Sequence, residues 1–170
     1  MSGDITIRPI RRDEVMTWRA LRLEAMRAFP GAFSASPDDW EQLPIETVTS
    51  RIPAPGGDDV LFGVYRDGEL MGCAGFRREP GAKERHKGDL WGVYVRASLQ
   101  GRGHGKRLTQ AVIDWARPRV DLLRCAVSAE NPRARALYMR LGFVRYGAEP
   151  RAIRVDGRDL DEDHLVLVFR

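Results

Sequence analysis

A glycine-rich turn near the middle of the chain constrains the fold more than any other stretch. The turn spans residues 100–106, and the apolar, β-prone run at residues 90–95 precedes it. A segment of helical period follows it, with Leu108, Val112 and Trp115 on one side. A strand, a tight turn and a helix start direct several backbone N–H groups into one concavity at the positive end of the helix dipole. The sequence therefore predicts an anion site, and a phosphate group suits it best.

The composition is typical of one globular domain. The chain has 170 residues, enough for a substantial core, and its 43% hydrophobic and 31% charged residues are ordinary for a soluble protein. No apolar run is long enough to cross a membrane, and Asp4 and Arg8 stand where a secretory signal needs an apolar core. Cys73 and Cys125 lie in apolar, strand-like runs, which favours buried thiols over a disulfide. We expect a single cytoplasmic domain, residues 1–170, with no membrane partner.

The net charge of +4 is unevenly distributed along the chain. Basic residues surround the glycine turn: Arg96, Arg102, Lys106, Arg107, Arg117 and Arg119. Acidic residues crowd the stretch 156–163. Nucleic-acid binding is one interpretation of the basic cluster, but no basic helix or interleaved aromatic residues support it. A small polyanionic ligand explains the cluster better, and a solvated surface is the alternative for any single arginine.

Predicted strands and helices are mixed along the chain. Strands are predicted at residues 5–8, 60–65, 69–76, 89–95, 122–127, 144–147 and 165–169. Helices are predicted at residues 13–29 and 45–51, from the end of the glycine turn to about residue 116, and at residues 132–141. The Asp67-Gly68 dipeptide predicts a tight hairpin turn, whereas four prolines predict an irregular stretch at residues 31–57 that binds something or moves. This order is typical of an α/β or α+β domain.

The helix at residues 132–141 has the best-defined ends. Asn131 is a good N-cap, Pro132 occupies the favoured first position, and Gly142 is the expected C-terminal stop. One face of this helix is formed by Ala134, Leu137, Tyr138 and Leu141.

Taken together, these motifs resemble the GNAT superfamily, the Gcn5-related N-acetyltransferases. The Gln/Arg-x-x-Gly-x-Gly/Ala signature is matched by Gln100, Gly103 and Gly105. The downstream signature is matched at every position by Asn131, Ala134, Tyr138, Gly142 and Phe143. The resemblance implies a mixed, mostly antiparallel sheet flanked by helices, with a splayed parallel pair of strands at residues 89–95 and 122–127.

The resemblance also implies acetyl-CoA as the acyl donor, lying between the two splayed strands. Its pantetheine arm would pair with the backbone of Val93, Tyr94 and Val95. Its pyrophosphate would lie on the turn formed by Gln100, Gly101, Arg102, Gly103, His104, Gly105 and Lys106, because glycine permits a close approach. Arg102, Lys106 and Arg107 would add charge, with solvated helix-end residues as the alternative. We interpret His104 as an exposed residue that contributes its backbone and is not a base, and we expect no metal.

Tyr138 is the predicted general acid. Transfer of an acetyl group from a thioester to an amine releases a thiolate, which benefits from a nearby proton donor. In the family the matching tyrosine lies beside the cofactor sulfur. The alternative is a core tyrosine on the apolar helix face. The resemblance makes Asn131 a hydrogen-bond partner of the cofactor arm, although its N-cap role alone explains it.

The general base is less well defined. A lysine-like amine has a pKa of ~10.4 and is mostly protonated at neutral pH. Many family members carry a glutamate on the central strand four residues before the position of Val95, where this chain has Trp91. Asp89 lies two residues earlier and on the same strand face, so it is the candidate base. Glu79, His86 and a water relay are the alternatives.

We therefore predict an N-acetyltransferase, an acyltransferase that acts by direct attack of a primary amine in a ternary complex. Neither cysteine falls in the proposed gap, which argues against a covalent enzyme intermediate. Backbone N–H groups of the central strand would polarise the thioester carbonyl.

The acceptor amine stays open among polyamines, aminoglycosides, peptide N-termini and lysine side chains. Trp40, Glu41 and the acidic stretch at residues 156–163 favour a cationic amine, with a solvated acidic loop as the alternative. Two other functions also stay open. One is a non-catalytic acyl-CoA sensor or interaction module, which the change to Trp91 favours, and the other is nucleic-acid binding. A homodimer is compatible with the sequence.

Overall fold

The structure, a computed structural model that describes residues 3–170, is organised around one seven-stranded sheet. The strands are β1 (Ile5–Pro9), β2 (Val60–Arg66), β3 (Glu69–Arg78), β4 (Lys87–Val95), β5 (Leu122–Ser128), β6 (Val144–Val155) and β7 (Arg158–Val168). The helices are α1 (Val15–Ala28), α2 (Pro37–Gln42), α3 (Ile45–Ser50), α4 (His104–Ala116) and α5 (Pro132–Arg140). Across the sheet the strand order is β1-β2-β3-β4-β5-β7-β6.

A single parallel pair, β4 and β5, interrupts the otherwise antiparallel sheet in the described chain. The pairing covers Lys87 with Leu122 through Asp89 with Arg124 and then ends. Beyond Asp89 the two strands separate, so one edge of β4 has no neighbouring strand to accept or donate hydrogen bonds. This geometry confirms the predicted fold class, including the splayed strands.

Helices cover both faces of the sheet and give two buried cores. One core packs α4 and α5 against the sheet, with Leu108 and Val112 fully buried. The other packs α1, α2 and α3 against the opposite face, with Trp18 and Trp40 fully buried. Burial of one such large apolar side chain contributes about 1.5–3 kcal/mol, so each layer holds its helices firmly on the sheet.

Several local predictions are confirmed. Asp67 and Gly68 have φ values of 51° and 83°, as a type I′ hairpin turn requires. The Asn131 side chain accepts a hydrogen bond from the Ala134 backbone N–H at 3.1 Å and so caps α5. Cys73 and Cys125 are both buried free thiols. Among residues 3–170, no helix has the length and apolarity needed to cross a bilayer.

Two stretches differ from the sequence prediction. The segment 31–57 is not irregular throughout, because α2 precedes the expected α3. The α2 helix has six residues, too few to show a helical period, and Ser36 caps it by accepting from the Asp39 N–H at 3.1 Å. The acidic stretch 156–163 is mostly strand, not loop, because basic residues on β6 balance its charge, as in the Arg154–Asp159 contact at 2.6 Å.

Candidate active site

The glycine turn offers a row of free backbone donors. Gly101 and Gly103 have φ values of 75° and 80°, a left-handed conformation that favours glycine, and α4 begins directly afterwards. Within residues 3–170, the backbone N–H groups of residues 101–106 donate to no protein acceptor. Six consecutive free donors at a helix N-terminus form an anion cradle. Arg102 and Lys106 are exposed beside it.

The side chain of Gln100 fixes this turn in place. Its amide donates to the Val95 carbonyl at 2.7 Å, and its oxygen accepts from Arg133 of α5 at 3.3 Å. The turn is therefore tied both to the end of β4 and to α5. Gly105 lies on the inner side, where an added Cβ would be 3.9 Å from Val95. His104 is half-buried with its Nδ1 enclosed, so the prediction that it is exposed is wrong: the first turn of α4 packs it inward.

The end of β4 is bulged where it faces the glycine turn. Tyr94 pairs with Cys73 and Trp91 pairs with Gly75, so Gly92 and Val93 together face one residue of β3. Gly92 takes a φ of 64°. Tyr94 points to the α1 face, where its hydroxyl donates to Glu24 at 2.8 Å. Burial, reinforced by this bond to the Glu24 carboxylate, raises the pKa of Tyr94 to about 12.

Tyr138 lies on α5 in the core beneath β5. It is 7% exposed, and its ring centroid is 5.8 Å from that of Phe143. Burial, with a smaller contribution from Cys125, raises the pKa of the Tyr138 hydroxyl, so it holds its proton at neutral pH. In the described part of the chain this hydroxyl has no hydrogen-bond partner, which leaves it free to donate.

Asp89 lies where β4 and β5 separate, at the closed end of the gap. Its carboxylate accepts from Arg124 Nε at 2.9 Å, and the same guanidinium binds Glu79. Burial raises the pKa of Asp89, although Arg124 opposes that shift. Glu79, an alternative base, therefore shares one cation with Asp89. His86 is exposed, and its carbonyl accepts from the Asp121 N–H at 2.7 Å.

A cleft of about 590 Å³ opens at the other end of the gap. It is lined by the end of α1, the end of β5 and the β6–β7 turn, with Phe29, Ser128, Asn131, Asp156, Arg158 and Leu160 among its residues. Asn131 therefore borders both the gap and this cleft. Such a cleft is large enough for a small molecule or a peptide end.

The sequence profile described as the acetyltransferase (GNAT) family matches residues 18–143, well over half of the chain. The chain belongs to the acetyltransferase (GNAT) family. This confirms the resemblance that the turn and α5 motifs indicated. The matched range includes most of α1 and both splayed strands.

Individual relatives of this GNAT chain share only part of its sequence. It is 37% identical over 97 residues to the N-alpha-acetyltransferase RimI of Mycobacterium tuberculosis, covering 57% of this chain and 60% of that protein. It is 29% identical over 128 residues to an L-methionine sulfoximine/L-methionine sulfone acetyltransferase of Pseudomonas aeruginosa, covering 72% of this chain and 74% of the relative. The chain thus spans about three fifths of the first of these relatives.

Solved structures share the fold. An acetyltransferase of the GNAT family from Streptococcus pneumoniae superposes with a TM-score of 0.88 at 20% identity, covering 97% of this chain and 99% of the other. The Salmonella typhimurium protein yncA, solved with its cofactor acetyl-CoA, superposes with a TM-score of 0.85 at 20% identity over 99% of this chain and 95% of its own. At these identities the likeness shows the fold.

One buried charge lies outside the GNAT motifs and was not predicted from the sequence. Arg22 of α1 is 8% exposed, and aromatic rings surround its guanidinium. The signal was present, because Arg22 falls on the apolar stripe of α1 between Trp18 and Ala25, where a charge is unexpected. Trp91, the residue in place of the expected glutamate, is one of those rings.

Proposed function

We propose that the protein is an acetyl-CoA-dependent N-acetyltransferase that acetylates a primary amine in a ternary complex. The observation that carries this proposal is the row of six unpaired N–H groups at residues 101–106, next to the unpartnered edge of β4. Phosphate groups need such donors, and a pantetheine arm needs such a strand edge. Family membership supports the same cofactor.

The proposed cofactor site uses residues from three elements. The pyrophosphate would accept from the backbone of residues 101–106, with Arg102 and Lys106 adding charge at the rim. The pantetheine arm would pair with the free edge of β4 at Val93, Tyr94 and Val95. Asn131 borders the gap, and its amide nitrogen is not used by the cap that its oxygen makes.

In the proposed chemistry one side chain donates a proton and another accepts one. Attack by the amine nitrogen on the thioester carbonyl forms the C–N bond, and the C–S bond breaks. Tyr138 donates its proton to the departing thiolate sulfur, and its neutral state at neutral pH supports that role. Asp89 accepts the proton that the amine loses, directly or through water, and its raised pKa makes it a stronger base than an exposed aspartate.

A second candidate function is acyl-CoA binding without turnover. The observation that favours it is the pairing of Asp89 with Arg124, which occupies the proposed base, together with Trp91 at the position of the family's glutamate. The names of the relatives favour an enzyme, since they include an N-alpha-acetyltransferase and an L-methionine sulfone acetyltransferase. A protein N-terminus and a small amino acid are therefore two acceptor classes to consider.

The Tyr138→Phe variant tests the proposed function. The phenyl ring preserves the packing against Phe143 but removes the proton donor, so kcat should fall about 100-fold or more. The affinity for acetyl-CoA, measured by calorimetry, should change less than about twofold. Tyr146→Phe is the matched control, because that tyrosine is 56% exposed on β6. An unaltered kcat in Tyr138→Phe would remove the general-acid assignment, and a wild-type protein that binds acetyl-CoA but acetylates no amine would support the second candidate.

A further inference from the structure

Arg22 is a buried cation with no anion beside it in the described chain. Its Nε and Nη1 atoms are fully enclosed and have no hydrogen-bond partner, and none of the ion pairs formed by residues 3–170 includes this residue. A buried guanidinium normally has a carboxylate partner, because removing an unpaired charge from water is costly. Burial accordingly lowers the pKa of Arg22, although a guanidinium stays charged.

The groups around Arg22 are hydrogen-bond donors or apolar rings. The guanidinium carbon lies 5.1–5.9 Å from the ring centroids of Phe33, Trp40, Trp91 and Trp18. The indole N–H groups of Trp18 and Trp91 are also enclosed; that of Trp91 has no acceptor, and that of Trp18 lies beside the Cys73 thiol. Of the seven such enclosed atoms in residues 3–170, four belong to this cluster. We call Arg22, Phe33, Trp18, Trp40 and Trp91 the arginine cage, and what the cage lacks is an acceptor.

Nearby titratable groups do not supply that acceptor. Cys73 is the acidic group whose charge acts on the pKa of Arg22, but burial raises the pKa of its thiol, and the thiol donates to the Gly92 carbonyl at 3.3 Å. Arg51 lies on the Trp40 ring at 5.3 Å and adds positive charge. The charge at the cage is therefore positive and uncompensated.

A second arginine in the same layer shows the usual solution. Arg8 stacks on the Tyr65 ring at 3.9 Å and has a carboxylate partner, since Glu14 accepts from both its Nη atoms at 2.9 Å. At Arg8 the ring contact therefore accompanies a carboxylate and does not replace it. Arg22 has the ring contacts but lacks the carboxylate.

The arginine cage lies at the bulge of β4. A Cβ added to Gly92 would be 2.8 Å from Arg22 Nη1, so the bulge glycine makes room for the guanidinium. Gly92 directly precedes Val93, where the strand edge is free beside the gap. Arg22 therefore reaches β4 from the α1 face, one residue before the free strand edge at Val93.

We propose that Arg22 binds a carboxylate of the acceptor, so that the acceptor is a small amino acid carrying its amine and its carboxylate on one molecule. The Nη2 group is not among the enclosed atoms and makes no hydrogen bond within residues 3–170, so a carboxylate would approach the guanidinium from that side. A charge-assisted hydrogen bond there fixes the position of the attached amine. This inference rests on the proposed function, because it names the substrate class of that same site. It favours a free amino acid over a protein N-terminus, which carries no carboxylate next to its amine.

Matched pairs of acceptors test the inference. L-Methionine sulfone, L-alanine and L-glutamate are each compared with the corresponding α-carboxamide, which keeps the amine and side chain but removes the charge. In the wild type, kcat/KM for the acid should exceed that for the amide in at least one pair. Arg22→Met should lower the acid-to-amide ratio about 100-fold, mainly through KM, while kcat/KM for the amide stays within about threefold.

The variant is chosen to keep its fold. Methionine keeps an unbranched, flexible side chain and removes a buried charge, so the melting temperature of Arg22→Met should be unchanged or higher. Arg22→Lys should recover part of the affinity for the acid, because it restores the charge but not the planar guanidinium. A purely structural arginine would instead lower the melting temperature and affect acid and amide equally.

Binding without acetyl-CoA separates this inference from the proposed function. Three of the cage rings are tryptophans, so titration with L-methionine sulfone should change their fluorescence in the wild type and not in Arg22→Met. Carboxylate-dependent binding without turnover would support the role of Arg22 and contradict the proposed acetyltransferase activity. An acid-to-amide ratio that is unchanged in Arg22→Met, or acetylation of amides and peptides alone, would contradict the role of Arg22 but leave the proposed acetyltransferase activity standing. No fluorescence change and no turnover with any of the three acids would overturn the inference as stated.

Discussion

The two faces of β4 differ in how they offer hydrogen-bond donors. On the α4 face the donors are backbone N–H groups of residues 101–106, arranged by glycines and a helix start. On the α1 face they belong to the side chains of the arginine cage, enclosed by packing. Backbone donors suit a diffuse polyanion such as a pyrophosphate, whereas one enclosed guanidinium suits a single carboxylate. On the roles proposed above, β4 separates a general cofactor site from a selective acceptor site.

The largest expected effect is at Asp89, the last residue of β4 that pairs with β5. Asp89→Asn should lower kcat about 100-fold, since an amide cannot accept the amine proton. Burial raises the pKa of Asp89 above its usual 3.8, so in the wild type the acidic limb of the rate profile should rise with pH through a value above 3.8 as the carboxylate ionises. The variant should lose that limb. Glu79→Gln is the control, because Glu79 binds the same Arg124; an equal loss of rate in both variants would show that the ion cluster is only structural.

A glycine pair tests the α4 face. Gly103→Ala should weaken acetyl-CoA binding about 10-fold, because a side chain at residue 103 prevents the close approach of a phosphate group. Gly68→Ala is the matched control: both glycines have φ near 80°, and neither has an atom within 4 Å of an added Cβ. Both variants should lose about 1–2 kcal/mol of stability from backbone strain. Equal affinities for acetyl-CoA in the two variants, measured by calorimetry, would argue against the phosphate cradle.

Gly92→Ala tests the α1 face by the same logic. It shares the positive φ of Gly103, but its Cβ would lie 2.8 Å from Arg22 Nη1. Its free energy of unfolding should therefore fall by about 2–3 kcal/mol, more than for Gly103→Ala. Combination with Arg22→Ala should recover the excess in a double-mutant cycle. Strictly additive losses would show that the bulge and the guanidinium do not constrain each other.

Glu14 tests what a protein carboxylate does for a stacked arginine, with the smallest expected effect. Hydrogen bonds from Arg8 are the main reason that the pKa of Glu14 is lowered from 4.5 to about 2. A lowered pKa adds stability that is complete above pH 4.5 and is lost as pH falls towards 2. Glu14→Gln should cost about 1 kcal/mol at neutral pH and flatten the acid unfolding curve over that range, measured by denaturant melts. An unchanged curve would mean that the pair contributes nothing.

Sequence reasoning succeeded where the determinants are close together in the chain. The Asp67-Gly68 turn, the Asn131 cap and the glycine turn each depend on fewer than ten consecutive residues. The splayed strands were implied by the family resemblance and not by local pattern. Inward packing of His104 was missed because the motif leaves that position variable.

The arginine cage could not be predicted in the same way. Its rings come from α1, the segment before α2, α2 itself and β4, and only the folded sheet brings them together. The position of Arg22 on an apolar helix stripe was visible, but its missing partner is a property of three dimensions. The length of the β6–β7 hairpin could not be predicted for a related reason: its charged residues form ion pairs between the two strands, as Arg154 and Asp159 do.

Calorimetric titration of acetyl-CoA into the wild type and Arg22→Met most directly tests whether β4 separates two sites. Acetyl-CoA should bind the wild type with a dissociation constant well below about 1 mM, the upper end of ordinary substrate affinities. Arg22→Met should bind it equally well, because the guanidinium lies on the opposite face of the strand. Absence of binding to the wild type at millimolar acetyl-CoA would contradict the cofactor site, and a large loss in Arg22→Met would contradict the separation of the two faces.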